Sequence, residues 1–182
     1  MKAILIEDGA GDLVWGDAPS PTAGPTEVVI DVHATAVNRA DLLQRRGFYP
    51  PPPGESDILG LEAAGVVAAV GAKVTSARVG DRVCCLLGGG GYAEQVAVPE
   101  AMLLAIPSGL DFVQAAAIPE AFYTAFVNLV LEAGLATGER VLIHAGASGV
   151  GTAAIQLVHA RGATVFVTAG SDDKIERCQE LG

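Results

Sequence analysis

The chain of 182 residues is short of charge, of aromatics and of cysteine. Only 18% of its residues are charged, and 11 Lys and Arg face 21 Asp and Glu, for a net charge of −10. A surface of that sign repels polyanions, which argues against nucleic acid and anionic lipid as partners. The three cysteines, Cys84, Cys85 and Cys178, are odd in number and include no Cys-x-x-Cys pair, so neither a disulfide framework nor a cysteine zinc site is expected. Buried, reduced thiols are the expectation for all three. No run of roughly 18 to 20 apolar residues is present to span a membrane. The first residues, "MKAILIEDGAGD", turn acidic too soon for a signal peptide, so a cytoplasmic protein is expected. Also missing are a His, Cys, Asp and Glu cluster at metal-ligand spacing and a nucleophilic serine on a strand-turn-helix elbow.

What the sequence does have is apolar material, 51% of residues, punctuated by 23 glycines and 10 prolines. Through about Leu104 the signals are short strands between turns, the mark of a β-rich module. In "EVVIDVHATAVN", Val28, Ile30, Val32, Ala34 and Ala36 alternate onto one face, with Glu27, Asp31, His33 and Thr35 on the other, which leaves His33 solvated. Further strands are expected over Glu62 to Val70, Arg82 to Leu87 and Tyr92 to Val98. A first helix is expected from Ala40 to Arg46, and the four prolines Pro50 to Pro53 that follow stiffen a loop holding Tyr49 at a rim.

Beyond Pro107 the pattern turns helical, so a module boundary is expected within residues 107 to 138. Asp111 is placed to cap a short helix through Ala117, Pro119 to open a second helix running to about Ala133, and Gly134 with Gly138 to end it. An apolar strand from Arg140 to Ala145 leads into "HAGASGVG", an amphipathic helix to Arg161, a second strand "ATVFVTA" and a last helix from Ser171. This βαβα order opens a parallel sheet.

In the dinucleotide fingerprint one glycine makes the tight turn, a second admits the pyrophosphate and a third lets helix pack on strand. Gly146, Ser148 and Gly151 occupy those places, with Gly149 in addition, after a strand and before a helix as the motif requires. A serine in the middle adds one hydroxyl that can donate to a phosphate oxygen, or can simply cap the helix. An enzyme using NAD places an acidic residue at the end of the second strand to hold the ribose hydroxyls. Here Thr168, Ala169 and Gly170 stand there, followed by Ser171 and Lys174, a hydroxyl and a cation suited to a 2′-phosphate, so NADPH is the expected cofactor. A β-rich module ahead of a nucleotide fold points to hydride transfer, with the nicotinamide carrying the reaction.

Five stretches carry a family resemblance: "VNRADLLQRRGFYPPPPGESDILGLEAAG", "GGGYAEQVAVPE", "AAAIPEAFYTAF", "VLIHAGASGVGTAAIQL" and "VTAGSDDK". In these the chain resembles the zinc-independent quinone oxidoreductases of the medium-chain dehydrogenase/reductase superfamily, most of all the p53-inducible type. Zinc-dependent relatives carry Cys-x-x-Asp and Gly-His-Glu; the corresponding places here read Asn38-Arg39-Ala40-Asp41 and Gly60-Leu61-Glu62, so no catalytic metal is expected. The resemblance implies an α/β fold in which a β-rich GroES-like domain, residues 1–120, precedes a Rossmann part, residues 121–182 with its linker helix, and a cleft between them. It further implies that Asn38 lies near the nicotinamide ribose and Tyr49 lines the quinone site as a hydrogen-bond donor. Thr124 would contact the nicotinamide region, Ser148, Gly149 and Val150 the pyrophosphate, and Gly170, Ser171 and Lys174 the 2′-phosphate.

A full sheet of this class has strand order 3-2-1-4-5-6. The chain supplies strands 1 and 2, so the Rossmann part reads as truncated at its C-terminus. Open parallel edges then predict self-association into a homo-oligomer through residues after Gly138, or that the chain is one piece of a longer protein. Three activities stay open at this point: reduction of quinones, reduction of α,β-unsaturated carbonyls such as enals, and cofactor binding or protein interaction without catalysis.

Overall fold

The structure, a computed structural model, describes residues 1–7 and 11–182. It divides into two compact units, Met1–Glu120 and Ala121–Gly182. Among the described residues, no helix is long and apolar enough to cross a membrane.

The first unit contains β1 (Lys2–Ile6), β2 (Leu13–Asp17), β3 (Glu27–Thr35), α1 (Arg39–Arg45), β4 (Glu62–Val70), β5 (Arg82–Leu86), β6 (Gln95–Pro99), β7 (Leu103–Ala105) and α2 (Phe112–Ala116). Strands β6-β3-β4-β5-β7 form a five-stranded antiparallel sheet, and β1 pairs with β2 in a hairpin. Successive residues of a strand face opposite sides. Accordingly Ala63 and Cys85 join Val28, Ile30, Val67 and Val83 in one apolar cluster, while Ala64 and Cys84 join Ile106, Ala115 and Ala116 in another. The adjacent thiols therefore point to opposite faces of β5, and all three cysteines are free and buried. Burial pushes the Cys85 thiol up to about 12, which keeps it protonated and inert.

Two strand assignments differ from the sequence pattern. A bulge in β3 between Val32 and Ala34 breaks the alternation, so Val32 packs with the Ile30 cluster and Ala34 with the Ala64 cluster. The extra residue is His33, exposed as its polar neighbours imply, with its ring stacked on Phe112 at 4.4 Å and 24°. The Arg82 guanidinium lies 4.7 Å from the centre of the same Phe112 ring. Strand β6 starts at Gln95 and not at Tyr92, because Ala93 instead bridges to Ala3. Beside the bulge, β3 and β4 approach so closely that a Cβ on Gly65 would lie 2.0 Å from the Asp31 carbonyl oxygen.

Helix α3 (Pro119–Phe126) opens at the end of the first unit, and its remainder begins the second. The sequence pattern carries it on to about Ala133 as one α-helix, but it widens into a π-helical turn over Val127–Glu132. The Asn128 side chain donates to the Thr124 carbonyl at 2.8 Å, the acceptor that α-helical register assigns to the Asn128 N–H. Gly134 and Gly138, at φ 66 and 83, then turn the chain. Strand β8 (Arg140–Ile143) and strand β9 (Thr164–Val167) pair in parallel, with α4 (Gly149–Ala160) between them and α5 (Asp172–Glu180) after. Ala153 and Ala154 of α4 pack with Ala125, Phe122 and Ile143 on one face of this pair. On the other face Leu142 and Phe166, partners across the ladder, are 61% and 53% exposed.

Gly65→Ala is expected to destabilise the protein by roughly 2–3 kcal/mol through backbone displacement. Gly109→Ala, where an added Cβ meets nothing within 4 Å, is expected to stay within about 0.5 kcal/mol. Urea unfolding midpoints of the two variants check the contrast.

Candidate functional site

In the first unit the polar groups converge on Glu62, which opens β4 and is 2% exposed. Asn38 follows β3 and stands at the N-terminus of α1, where its Nδ2 donates to Glu62 Oε1 at 2.7 Å. The backbone N–H of Glu120, in the first turn of the helix opened by Pro119, donates to Glu62 Oε2 at 2.9 Å. The Thr35 hydroxyl donates to the Glu62 carbonyl at 2.7 Å. Both carboxylate oxygens thus have donors, which is what allows a carboxylate to be buried at all.

A second carboxylate lies beside the first. Asp41, also 2% exposed, accepts from the Asn38 N–H and from the Tyr92 hydroxyl, each at 2.7 Å on Oδ2. Its Oδ1 is buried with no protein partner. Burial raises Glu62 above the ordinary carboxylate value, and the donors from Glu120 and Asn38 only partly offset it. Glu120 is raised too, by burial and then by the charges of Glu62 and Asp41. The Tyr92 hydroxyl is pushed well up by burial and by its bond to Asp41, so it stays protonated at neutral pH. Of the residues expected from sequence, Asn38 sits inside this network. Tyr49 does not: it is 48% exposed on the segment between α1 and the proline run. Tyr92 and Glu120 carry no functional signal of their own in the sequence; Asp41 and Glu62 stand at the acidic places of the two zinc-site motifs, and Glu62 is also an acid inside the otherwise apolar "LGLEAAG".

In the second unit the glycine loop joins β8 to α4. Strand β8 ends at Ile143, short of the expected Ala145, because Ala145 has a positive φ of 54. That residue makes the tight turn anticipated for Gly146. Gly146 serves instead in close packing, since a Cβ there would lie 2.7 Å from Cβ of Val167 on β9. At Gly151 a Cβ would lie 2.5 Å from the carbonyl oxygens of Ala145 and Gly146, so the helix start is pressed onto the loop. Ser148 is the N-cap of α4, its Oγ accepting from the Gly151 N–H at 3.0 Å. Nothing lies within 4 Å of a Cβ built on Gly149. Gly149 and Val150, both exposed, open the helix with N–H groups that have no acceptor inside it. Thr124 lies on α3, while Gly170 and Ser171 follow β9 and Lys174 lies in the first turns of α5.

Residues 24–108 match the alcohol dehydrogenase GroES-like domain. The match lies within the first unit and covers most of it. The chain as a whole is similar to a quinone oxidoreductase of Pseudomonas syringae, at 37% identity and a TM-score of 0.87, over 100% of this chain and 56% of that one. It is equally similar to the CurK enoyl reductase, at 35% identity and a TM-score of 0.87, over 100% of this chain and 57% of the other. A low-reducing polyketide synthase of Aspergillus calidoustus is 41% identical over 169 residues, which are 93% of this chain and 7% of the synthase. The chain therefore spans little more than half of those two solved relatives and a small part of the synthase. Its fold, a β-rich GroES-like domain followed by a partial Rossmann-like unit, is that of the medium-chain dehydrogenase/reductase oxidoreductases.

Within the first unit the raised Glu62 and Glu120 set a pH dependence. Between the ordinary value of 4.5 and their folded values, the native state holds more protons than the unfolded chain. Stability from these groups therefore falls as pH rises through that window. Glu62→Gln is expected to flatten the fall, read as the urea midpoint from about pH 4.5 to 7.5. Glu62→Ala is expected to cost roughly 1–3 kcal/mol for each buried donor left unpaired, here Asn38 Nδ2 and the Glu120 N–H. An unchanged midpoint in Glu62→Ala would show that neither donor depends on the carboxylate.

Proposed function

We propose that the chain is the GroES-like and first nucleotide-binding portion of an NADPH-dependent, zinc-independent oxidoreductase that reduces quinones by hydride transfer. The observation that carries the reading is the loop at α4, where a helix N-terminus is left open at Gly149 while Gly146 and Gly151 are closed by packing. Open N–H groups at the positive end of a helix dipole suit a pyrophosphate. The Ser148 oxygen accepts from Gly151, which leaves its own proton to donate to a phosphate oxygen. In this reading Gly146, Ser148, Gly149, Val150 and Gly151 form the pyrophosphate cradle and Thr124 contacts the nicotinamide.

The preference for NADPH rests on the end of β9, where Thr168, Ala169 and Gly170 offer no carboxylate to repel a 2′-phosphate. The Ser171 hydroxyl is partly committed, since it bonds to Asp173 and holds that carboxyl below its ordinary range. Lys174 is then the group that decides, with Gly170 and Ser171 beside it.

When bound, NADPH supplies a hydride, and one proton from water or a hydroxyl completes reduction of a quinone to a hydroquinone. Asn38 is held in one orientation because Glu62 accepts from its amide, and so presents a fixed dipole to the nicotinamide ribose. Tyr49, half exposed after α1, supplies a hydroxyl to the acceptor oxygen. At the places where zinc-dependent relatives carry ligands, the amide of Asn38 and the buried alkyl group of Leu61 offer no thiolate or imidazole.

A second reading, reduction of an α,β-unsaturated carbonyl, is favoured by the similarity to an enoyl reductase and to a polyketide synthase. It uses the same hydride. Comparing NADPH consumption with a quinone and with an enal or enoyl thioester separates the two, and turnover of the conjugated carbonyl alone would put the second reading first.

Titration of nucleotide fluorescence checks the cofactor. Lys174→Ala is expected to raise the NADPH dissociation constant about 10-fold or more, the worth of one charge-assisted phosphate contact, and to leave NADH unchanged. An equal effect on both nucleotides would remove the 2′-phosphate assignment.

A further inference from the structure

Thr168, the residue just beyond β9, touches every residue at the entry of the glycine loop. Its N–H donates to the Ile143 carbonyl at 3.1 Å, and its carbonyl accepts from the Gly146 N–H at 2.9 Å. Its Oγ1 lies 3.1 Å from His144 Nδ1 and accepts from the Ala145 N–H at 3.3 Å. Four consecutive residues, 143 to 146, are therefore held by one threonine.

The middle of that run is the strained point of the loop. Ala145 is the non-glycine residue with positive φ among those described. An L-residue stays in that region only where its surroundings hold it. The turn it makes directs the Ala145 carbonyl back to the Ser148 N–H at 2.9 Å and brings Gly146 against Val167. Those two contacts set where α4 begins, and hence where Gly149 and Val150 present their N–H groups.

We propose that Thr168 is the positioning residue of the dinucleotide loop: its hydroxyl latches His144 and Ala145 so that the strained turn, and with it the open end of α4, is formed before cofactor arrives. The inference rests on the loop being a dinucleotide site. A hydroxyl has one proton to donate and lone pairs to accept, which matches what surrounds it. It accepts from the Ala145 N–H and shares a hydrogen bond with His144 Nδ1, which ties the ring and the turn to the same oxygen.

Two variants test this. Thr168→Val keeps the shape and β-branching of the side chain but removes the latch, and Thr168→Ser restores the hydroxyl. NADPH and NADH affinity is read by nucleotide fluorescence, and the Ala145 amide exchange and His144 ring nitrogen shifts by NMR without nucleotide. The expected result is faster exchange at Ala145 and shifted His144 ring nitrogens in Thr168→Val, with affinity for both nucleotides reduced about 10-fold and the thermal midpoint little changed. Thr168→Ser is expected to recover all three readouts. Wild-type affinity in Thr168→Val, or unaltered Ala145 exchange and His144 shifts, would overturn the proposal. If wild-type chain binds neither nucleotide, the dinucleotide reading itself fails and the cofactor role of the latch with it. Exchange and ring shifts without nucleotide would still decide whether the hydroxyl orders the turn.

Discussion

The first unit is organised around a single buried carboxylate. Glu62 sits at the start of β4, in the middle strand of the five-stranded sheet, where water cannot reach it. A charge there is tolerable only if the surrounding chain brings donors to it, and the donors come from separate segments: the amide at the start of α1 and the backbone at Glu120. The carboxylate thus specifies where two helix starts lie relative to the sheet. Asp41 extends the arrangement to Tyr92, so that three segments far apart in sequence share one polar cluster. Apolar packing alone would hold the sheet together but would not fix the orientation of Asn38.

The second unit solves a different problem with different means. Its loop leaves N–H groups exposed at a helix end while that helix lies close to the sheet. Steric closeness does most of this: Gly146 against Val167 and Gly151 against the loop carbonyls leave no room for a side chain. The remaining freedom is in the turn at Ala145, whose N–H donates to the hydroxyl of Thr168 just beyond β9. The bare pair Leu142 and Phe166 shows that a two-stranded parallel sheet with one helix layer leaves apolar surface uncovered.

Much of this was legible in the chain order. Asp111 caps α2 with the reciprocal bonds to Gln114 that its spacing predicts, and Pro119, Gly134 and Gly138 bound the helix between them as their backbone preferences dictate. Ser148 was readable as either a phosphate donor or a helix cap, and it is the cap, with its proton still available. Other features were not legible. The bulge at His33 turns on pairing with β4, and the π-helical turn on a side-chain bond from Asn128, neither of which changes the apolar pattern. The positive φ at Ala145 could not be read from an alanine flanked by a better candidate, Gly146.

Local chemistry was sufficient to specify the order of strands and helices, the capping residues and the loop that opens α4, because each depends on residues a few positions apart. The partners of Glu62, Asp41 and Thr168 were decided only when the strands assembled. Glu62 finds donors 24 and 58 residues away, Asp41 one 51 residues away and Thr168 one 23 residues away, and no periodicity spans such distances. A buried charge and a strained turn are both costly in isolation, and only the finished sheet brings the groups that make them stable.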